Sequence, residues 1–245
     1  GFADNGEVLN FNDAIVAGWA VMSGGASPER AQGALNEAIK ELYKPKDRMI
    51  LLFNRKLENE EWGGSLQAYP FGSRENWAQY THGSQWLARA ALKMGHEKGY
   101  EMLMSMSPTA HIADRRYGGE PNAVAADISG AHKMGEAGWT WYSGAAGWLI
   151  RNNLESVLGI KFSGGKTMRF EPNIPKDWPG YEVVFNRGST KYEINVETPK
   201  NASRILRQVI SLKVDGVSYD PAVGFPLLDD GRTHKVNVVM GVKAP

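Results

Sequence analysis

The spacing of apolar residues changes once along this chain of 245 residues, at about Gly159, and the change restricts the fold more than any other feature. Before it the period is helical. The stretch SPERAQGALNEAIKELYK, Ser27 to Lys44, starts with Ser-Pro and then places Ala31, Ala34, Leu35, Ala38, Ile39 and Leu42 three and four residues apart. That is the pattern of a capped helix with one apolar stripe. Less regular helical patterns run over Ala14–Met22, Asn76–Met94, Glu97–Met106 and Ser143–Leu158. Long loops such as NRKLENEEWGGSLQAYPFGSRE and ADRRYGGEPN separate them, and loops of that length are common places for sites. After Gly159 the period is two. In STKYEINVETP, Tyr192, Ile194 and Val196 alternate with Lys191, Glu193, Asn195 and Glu197, as in a strand with one wet face. Tyr181–Asn186, Val209–Val214 and His234–Met240 read the same way, with Asp215-Gly216 and Asp230-Gly231 as turn signals.

These periods predict an α+β chain of two domains: helical hairpins over residues 1–158 and an antiparallel β-sandwich over 159–245. The three prolines of EPNIPKDWPG, Glu171 to Gly180, resist regular structure and are expected over the seam. The first residues, GFADNGE, read as a turn without a starting methionine, which points to a piece of a longer protein. A hydrophobic content of 42% is ample for a core, and no window approaches a membrane span. A net charge of +1 with both signs interspersed gives no footprint for nucleic acid. The absence of cysteine removes disulfides and thiolate chemistry and is compatible with a reducing, cytoplasmic setting. HExxH, GxSxG, Walker and GxGxxG patterns are all missing, so zinc, serine-hydrolase and nucleotide readings fall away. His96, His111, His132 and His234 show no metal-ligand spacing, and no metal is expected.

Three clusters remain. RENWAQYTH brings Arg74, Glu75, Asn76, Gln79, Tyr80 and His82 to a helix entry. If helical, Glu75, Gln79 and His82 share a face suited to a sugar or an oxyanion, the alternative being an exposed capping segment. In GWTWYSGAAGWLIR, Ser143 and Gly144 open a helix behind Trp139, Trp141 and Tyr142. The serine either caps its own helix or faces an anion together with the glycine amide. The aromatics are either core or a surface for sugar rings. In GGEPNAVAAD, Glu120 and Asp127 are loop carboxylates able to accept hydroxyls or transfer protons. Glu75 and Glu120 form a conceivable hydrolase pair, but that assignment needs a separation that sequence does not supply.

Taken in order, RENWAQYTH, EPNAVAAD, GWTWYSGAAGWLIR, LGI and PNIPKDW resemble the C-terminal portion of glycoside hydrolase family 94, the inverting glycoside phosphorylases. GWAVMSGGASPERA and LLDDGRTHKVNVVMG are most similar to the branch holding cyclic β-1,2-glucan synthases and β-1,2-oligoglucan phosphorylases. The resemblance implies the C-terminal part of an (α/α)6 toroid followed by a jelly-roll-like β-sandwich. It implies transfer of a glucosyl unit between a β-glucan, β-1,2-linked for this branch, and phosphate with inversion. Phosphate is then a co-substrate, held by His82, Ser143 and Gly144, and no cofactor is required. Glu75, Gln79, Tyr80, Glu120 and Trp141 fall at or beside the sugar subsites.

The family's catalytic acid is an aspartate in a motif resembling DWNDG, which does not occur here. No catalytic residue is therefore expected in this chain, and the acid and the rest of the toroid are expected from preceding sequence or from a partner chain. Trp77 and Ala78 stand where glycines are usual, placing a large ring near a sugar subsite. The family also implies possible homo-oligomers and, for the synthase branch, membrane association. The alternative is a non-catalytic carbohydrate-binding or structural module on the same fold.

Overall fold

The computed structural model describes residues 11–57, 61–198 and 207–242, and the turn expected at GFADNGE lies outside them. The chain divides into two compact units, Gly1–Asn152 and Asn153–Pro245. It is of mixed α+β class, with helices in the first unit and antiparallel sheets dominating the second.

In the first unit, α1 (Ala14–Met22) starts where Asp13 accepts hydrogen bonds from the Ile15 and Val16 amides at 2.7 and 3.2 Å. Ser27 caps α2 (Pro28–Leu42), which buries Ala31, Leu35, Ala38, Ile39 and Leu42. That is the stripe read from the sequence except for Ala34, which is exposed. Short strands β1 (Tyr43–Lys44) and β2 (Met49–Ile50) pair and lead towards the central helix, α3 (Thr81–Lys93). Nine α3 residues are buried because α1, α2, α4 (Gly99–Ser105) and α6 (Ser143–Asn152) all pack on it. Small side chains allow the close approach. A methyl on Gly18 of α1 would stand 2.9 Å from the Trp86 carbonyl carbon of α3. A single-turn helix, α5 (Pro108–His111), follows α4.

One helical expectation is corrected, and another is met with a change of helix type. The segment before α3 is not helical from Asn76. Arg74 and Trp77 take left-handed φ values of 49° and 63°, and Gln79–Tyr80 form strand β3, paired with β4 (Asp127–Ile128). Two left-handed residues within four positions interrupt the helical hydrogen-bond ladder, so Glu75, Gln79 and His82 do not share a helix face. At the other end, α6 stops at Asn152 and the chain continues as a π turn over Asn153–Val157.

The second unit holds a three-stranded sheet, order β11 (Phe225–Pro226), β6 (Thr167–Phe170), β5 (Ile160–Ser163). Its five-stranded sheet has the order β10 (Val217–Tyr219), β9 (Arg207–Val214), β12 (Thr233–Val242), β8 (Thr190–Glu197), β7 (Gly180–Arg187). Met168, Phe170 and Phe225 from the first sheet join Tyr192, Ile194, Val196, Leu212, Val236 and Val238 from the second in one apolar cluster. The Asp215-Gly216 turn sits between β9 and β10 with both φ values positive, as a two-residue hairpin of this hand requires. The expected all-antiparallel pairing fails at one place: β12 lies parallel to β8, with Ile194 beside Val236. It inserts between β8 and β9, which run in opposite directions, so that it is antiparallel to β9 and parallel to β8.

Candidate functional site

The site begins where α3 and α6 meet. A methyl built on Gly144 would stand 2.8 Å from Nδ1 and 3.1 Å from Cε1 of His82, so the imidazole rests directly on the glycine backbone. Residues 62 positions apart in sequence, His82 and Gly144, are thereby brought together at the first turn of a helix. Backbone amides at such a turn lack intrahelical acceptors and carry partial positive charge. Ser143 supplies the first backbone unit of α6. Its hydroxyl, one of the groups singled out in the sequence, lies outside the described part of the structure.

Buried amides hold the two helices in this register. Gln85 is fully buried, and its Nε2 donates to the Ala145 carbonyl at 2.7 Å. Asn152 Nδ2 donates back to the Gln85 carbonyl at 3.3 Å, and Arg89 donates to Asn152 Oδ1 at 3.0 Å. Sequence reasoning missed Gln85 and Asn152. Their only signal was a lone amide on each of two otherwise small or apolar helix faces.

An aromatic cage surrounds His82. Trp86 meets it edge-on at 5.0 Å, Trp148 lies at 6.3 Å, and Tyr80 stacks at 6.4 Å with 20° between planes. Burial in this cage lowers the imidazole pKa below its ordinary value, so the ring is neutral around neutral pH and donates one N–H. Trp86 Nε1 and Glu75 Oε2 are buried without a hydrogen-bond partner among the described residues. Native structures leave few such atoms.

The three aromatics before α6 are not core. Trp139, Trp141 and Tyr142 are 57%, 71% and 50% exposed. Trp141 takes a left-handed φ of 66°, and its indole N–H donates to Glu120 Oε1 at 3.1 Å. Hydrogen bonds from Thr140 and Trp141 hold the exposed Glu120 carboxyl below its usual range, so it stays ionised. An ionised acceptor suits hydroxyl groups and does not suit a general acid. Asp127 is structural. It is buried and accepts from the Trp139 amide at 3.1 Å, fixing the base of the aromatic loop.

Gln79 does not join the group. It has no exposed surface; its Oε1 accepts from the Ile50 amide at 2.8 Å and its Nε2 donates to Thr81 at 3.0 Å. Those bonds tie β3 to β2 and α3, so the expected sugar-contacting role gives way to an internal one. Trp77 packs against Phe71 at 5.7 Å, and no contact described brings its ring to His82.

Two helices thus meet at a glycine-imidazole corner, and the loop that leads into α6 carries exposed indoles. The model of the glycosyl hydrolase 94 superfamily catalytic domain matches residues 7–159, and the chain belongs to that superfamily. It is 37% identical over 203 residues to cyclic beta-(1,2)-glucan synthase NdvB of Rhizobium meliloti (strain 1021), covering 80% of this chain and 7% of that protein. N,N'-diacetylchitobiose phosphorylase of Vibrio proteolyticus is 28% identical, over 91% of this chain and 27% of its own length. The 3-O-beta-D-glucopyranosyl-beta-D-glucuronide phosphorylase of Paenibacillus borealis is 30% identical, over 90% and 28%. The chain thus spans less than a third of each of these relatives. Among the described residues, no helix is long and apolar enough to cross a membrane.

Proposed function

We propose that this chain is the phosphate- and acceptor-side part of an inverting glycoside phosphorylase that acts on a β-glucan, β-1,2-linked by its likeness to the glucan synthase. The observation that carries the reading is the His82 imidazole seated on Gly144 at the start of α6. A neutral imidazole N–H, the first amides of α6 and the positive end of its dipole hold one phosphate there, with the Ser143 hydroxyl as the further ligand that the motif implies. A phosphate oxygen attacks the anomeric carbon, the bond from that carbon to the glycosidic oxygen breaks, and the departing oxygen takes a proton from a carboxylic acid outside this chain. Phosphate replaces the base-activated water of an inverting hydrolase, so one acid suffices. Glu75, Tyr80, Glu120 and Trp141 shape the sugar side, with the exposed indole offering a face to a sugar ring and Glu120 accepting its hydroxyls. The helical unit is the C-terminal part of an (α/α)6 toroid, split near residue 158 from a jelly-roll-like sandwich. The remainder of the site comes from preceding sequence or from a partner chain.

Calorimetric titration tests this reading. Inorganic phosphate should bind the wild-type chain and bind His82→Ala at least about tenfold more weakly, the worth of one charge-assisted hydrogen bond. In the assembled protein the product should be glucose 1-phosphate. Sugar binding that ignores both phosphate and His82 would instead favour a carbohydrate-binding module, the reading that the exposure of Trp139, Trp141 and Tyr142 alone supports.

A further inference from the structure

We propose that Arg74 is a positioning residue for this site: its guanidinium clamps the ring of Trp139, which in turn holds Tyr142, the residue that precedes Ser143 and Gly144 at the start of α6. The proposal rests on the Gly144–His82 corner being the anion site. The Arg74 guanidinium lies 3.7 Å from the Trp139 ring centroid and 5.6 Å from that of Tyr69. Trp139 is in turn parallel to Tyr142, at 5.9 Å and 9°, and Tyr142 is bonded to Ser143. Tyr69, Arg74, Trp139 and Tyr142 therefore form a continuous column from the turn before β3 to the residue that precedes α6.

Each end of the column is anchored. Arg74 itself is left-handed at φ 49°, inside a turn closed by the Asn76 amide on Ser73 O at 2.9 Å and by Asn76 Nδ2 on Tyr69 O at 2.9 Å. A non-glycine residue in that region costs about 1 kcal/mol or more and persists only where its surroundings hold it. On the other side, the Trp139 backbone is bonded through its amide to Asp127 and through its carbonyl to the Ala126 amide. The main chain at Trp139 is thus fixed without help from arginine, and what Arg74 adds is control of the ring. Trp139 is more than half exposed, so without a partner its rotamers would be free and Tyr142 would lose its neighbour. Among the described residues the guanidinium makes no ion pair or hydrogen bond, so the stack is not a by-product of carboxylate pairing. An arginine flat on an indole is a favourable cation-π contact in its own right.

The test compares wild type, Arg74→Met, Arg74→Lys, Trp139→Leu and the Arg74→Met/Trp139→Leu double variant. Amide hydrogen exchange over Trp141–Gly144 reports loop order without any ligand, and calorimetry with inorganic phosphate reports the site. Arg74→Met and Trp139→Leu should each speed exchange and weaken phosphate binding by about two- to fivefold, the range of one exposed cation-π contact. Because one residue acts through the other, the double variant should be no worse than either single one. Arg74→Lys, which can still hold a cation over the indole, should recover part of both effects, with thermal midpoints little changed throughout. Wild-type exchange rates in Arg74→Met, additive effects in the double variant, or a lysine no better than methionine would each overturn the proposal. If exchange responds as expected but no variant, wild type included, binds phosphate, the clamp stands and the phosphate reading fails.

Discussion

Gly144 and the His82 ring compete for one volume, and the glycine cedes it. Real Cβ atoms are essentially never found within 3.0 Å of such a neighbour, so Gly144→Ala, with its methyl 2.8 Å from Nδ1, must push the imidazole out of place. Overpacking of this kind costs about 1–3 kcal/mol, and the better helix propensity of alanine returns about 1 kcal/mol at most. The expected result is a lower thermal midpoint together with at least about tenfold weaker phosphate binding, because the N–H no longer points at the helix start. Combining the change with His82→Ala separates the two effects. The double variant regains stability, since the ring that clashed is gone, but not affinity. Calorimetry and thermal denaturation on the four proteins read this directly, and affinity that recovers along with stability would remove His82 from the site.

The α3–α6 contact combines an edge contact between Trp86 and Trp148 at 5.8 Å with a few buried amides. Gln85→Leu keeps the volume and removes both the donor to the Ala145 carbonyl and the acceptor that faces the buried Asn152 Nδ2. A loss of about 1–3 kcal/mol in urea unfolding is expected, with phosphate affinity falling as α6 drifts, whereas Gln79→Leu should cost similar stability without touching affinity. Equal affinity losses in the two variants would mean that α6 is held by something else. The same elements show what was legible in the sequence. The α2 stripe was, because a helix packing through one face writes its burial at intervals of three and four. The segment Arg74–Tyr80 was not, because its left-handed turns are imposed by Asn76 bonding to Tyr69 and Leu57, partners too distant for any local pattern. The parallel β8–β12 pair was equally hidden, since alternation fixes which side of a strand is buried but not its neighbour. His82 and Gly144 were identifiable through their motifs, yet their contact depends on the Gln85–Ala145 bond, which no spacing announces.

Four histidines, His82, His96, His111 and His234, have shifted proton affinities that divide by unit, and the division predicts opposite responses to pH. In the helical unit, burial lowers the pKa of His82, His96 and His111; Glu97 opposes the shift at His96, and the Ser105 carbonyl and Asp114 oppose it at His111. Their unfolded value is about 6.5, so below that pH the unfolded chain binds more protons than the folded one. This unit's stability is therefore complete above about pH 6.5 and falls as pH drops through the lowered pKa values. In the sheet unit, His234 Nδ1 lies 2.6 Å from Asp215 and Nε2 lies 3.2 Å from Asp230, and these bonds raise its pKa. Here the folded state holds the extra proton, so the stabilisation is complete below about pH 6.5 and is lost as pH rises through the raised value. Asp215 and Asp230 are themselves lowered by the same contacts and by backbone amides, so they titrate well below this window and do not blur it. All tryptophans but Trp178 lie in the helical unit, so indole fluorescence follows that unit's melting while far-ultraviolet dichroism at the sheet band follows the other. Between about pH 5.5 and pH 8 the fluorescence midpoint should rise and the sheet midpoint should fall. His234→Gln should flatten the second trend and leave the first intact; two midpoints moving in the same direction would contradict the assignment of these proton affinities to the folded units.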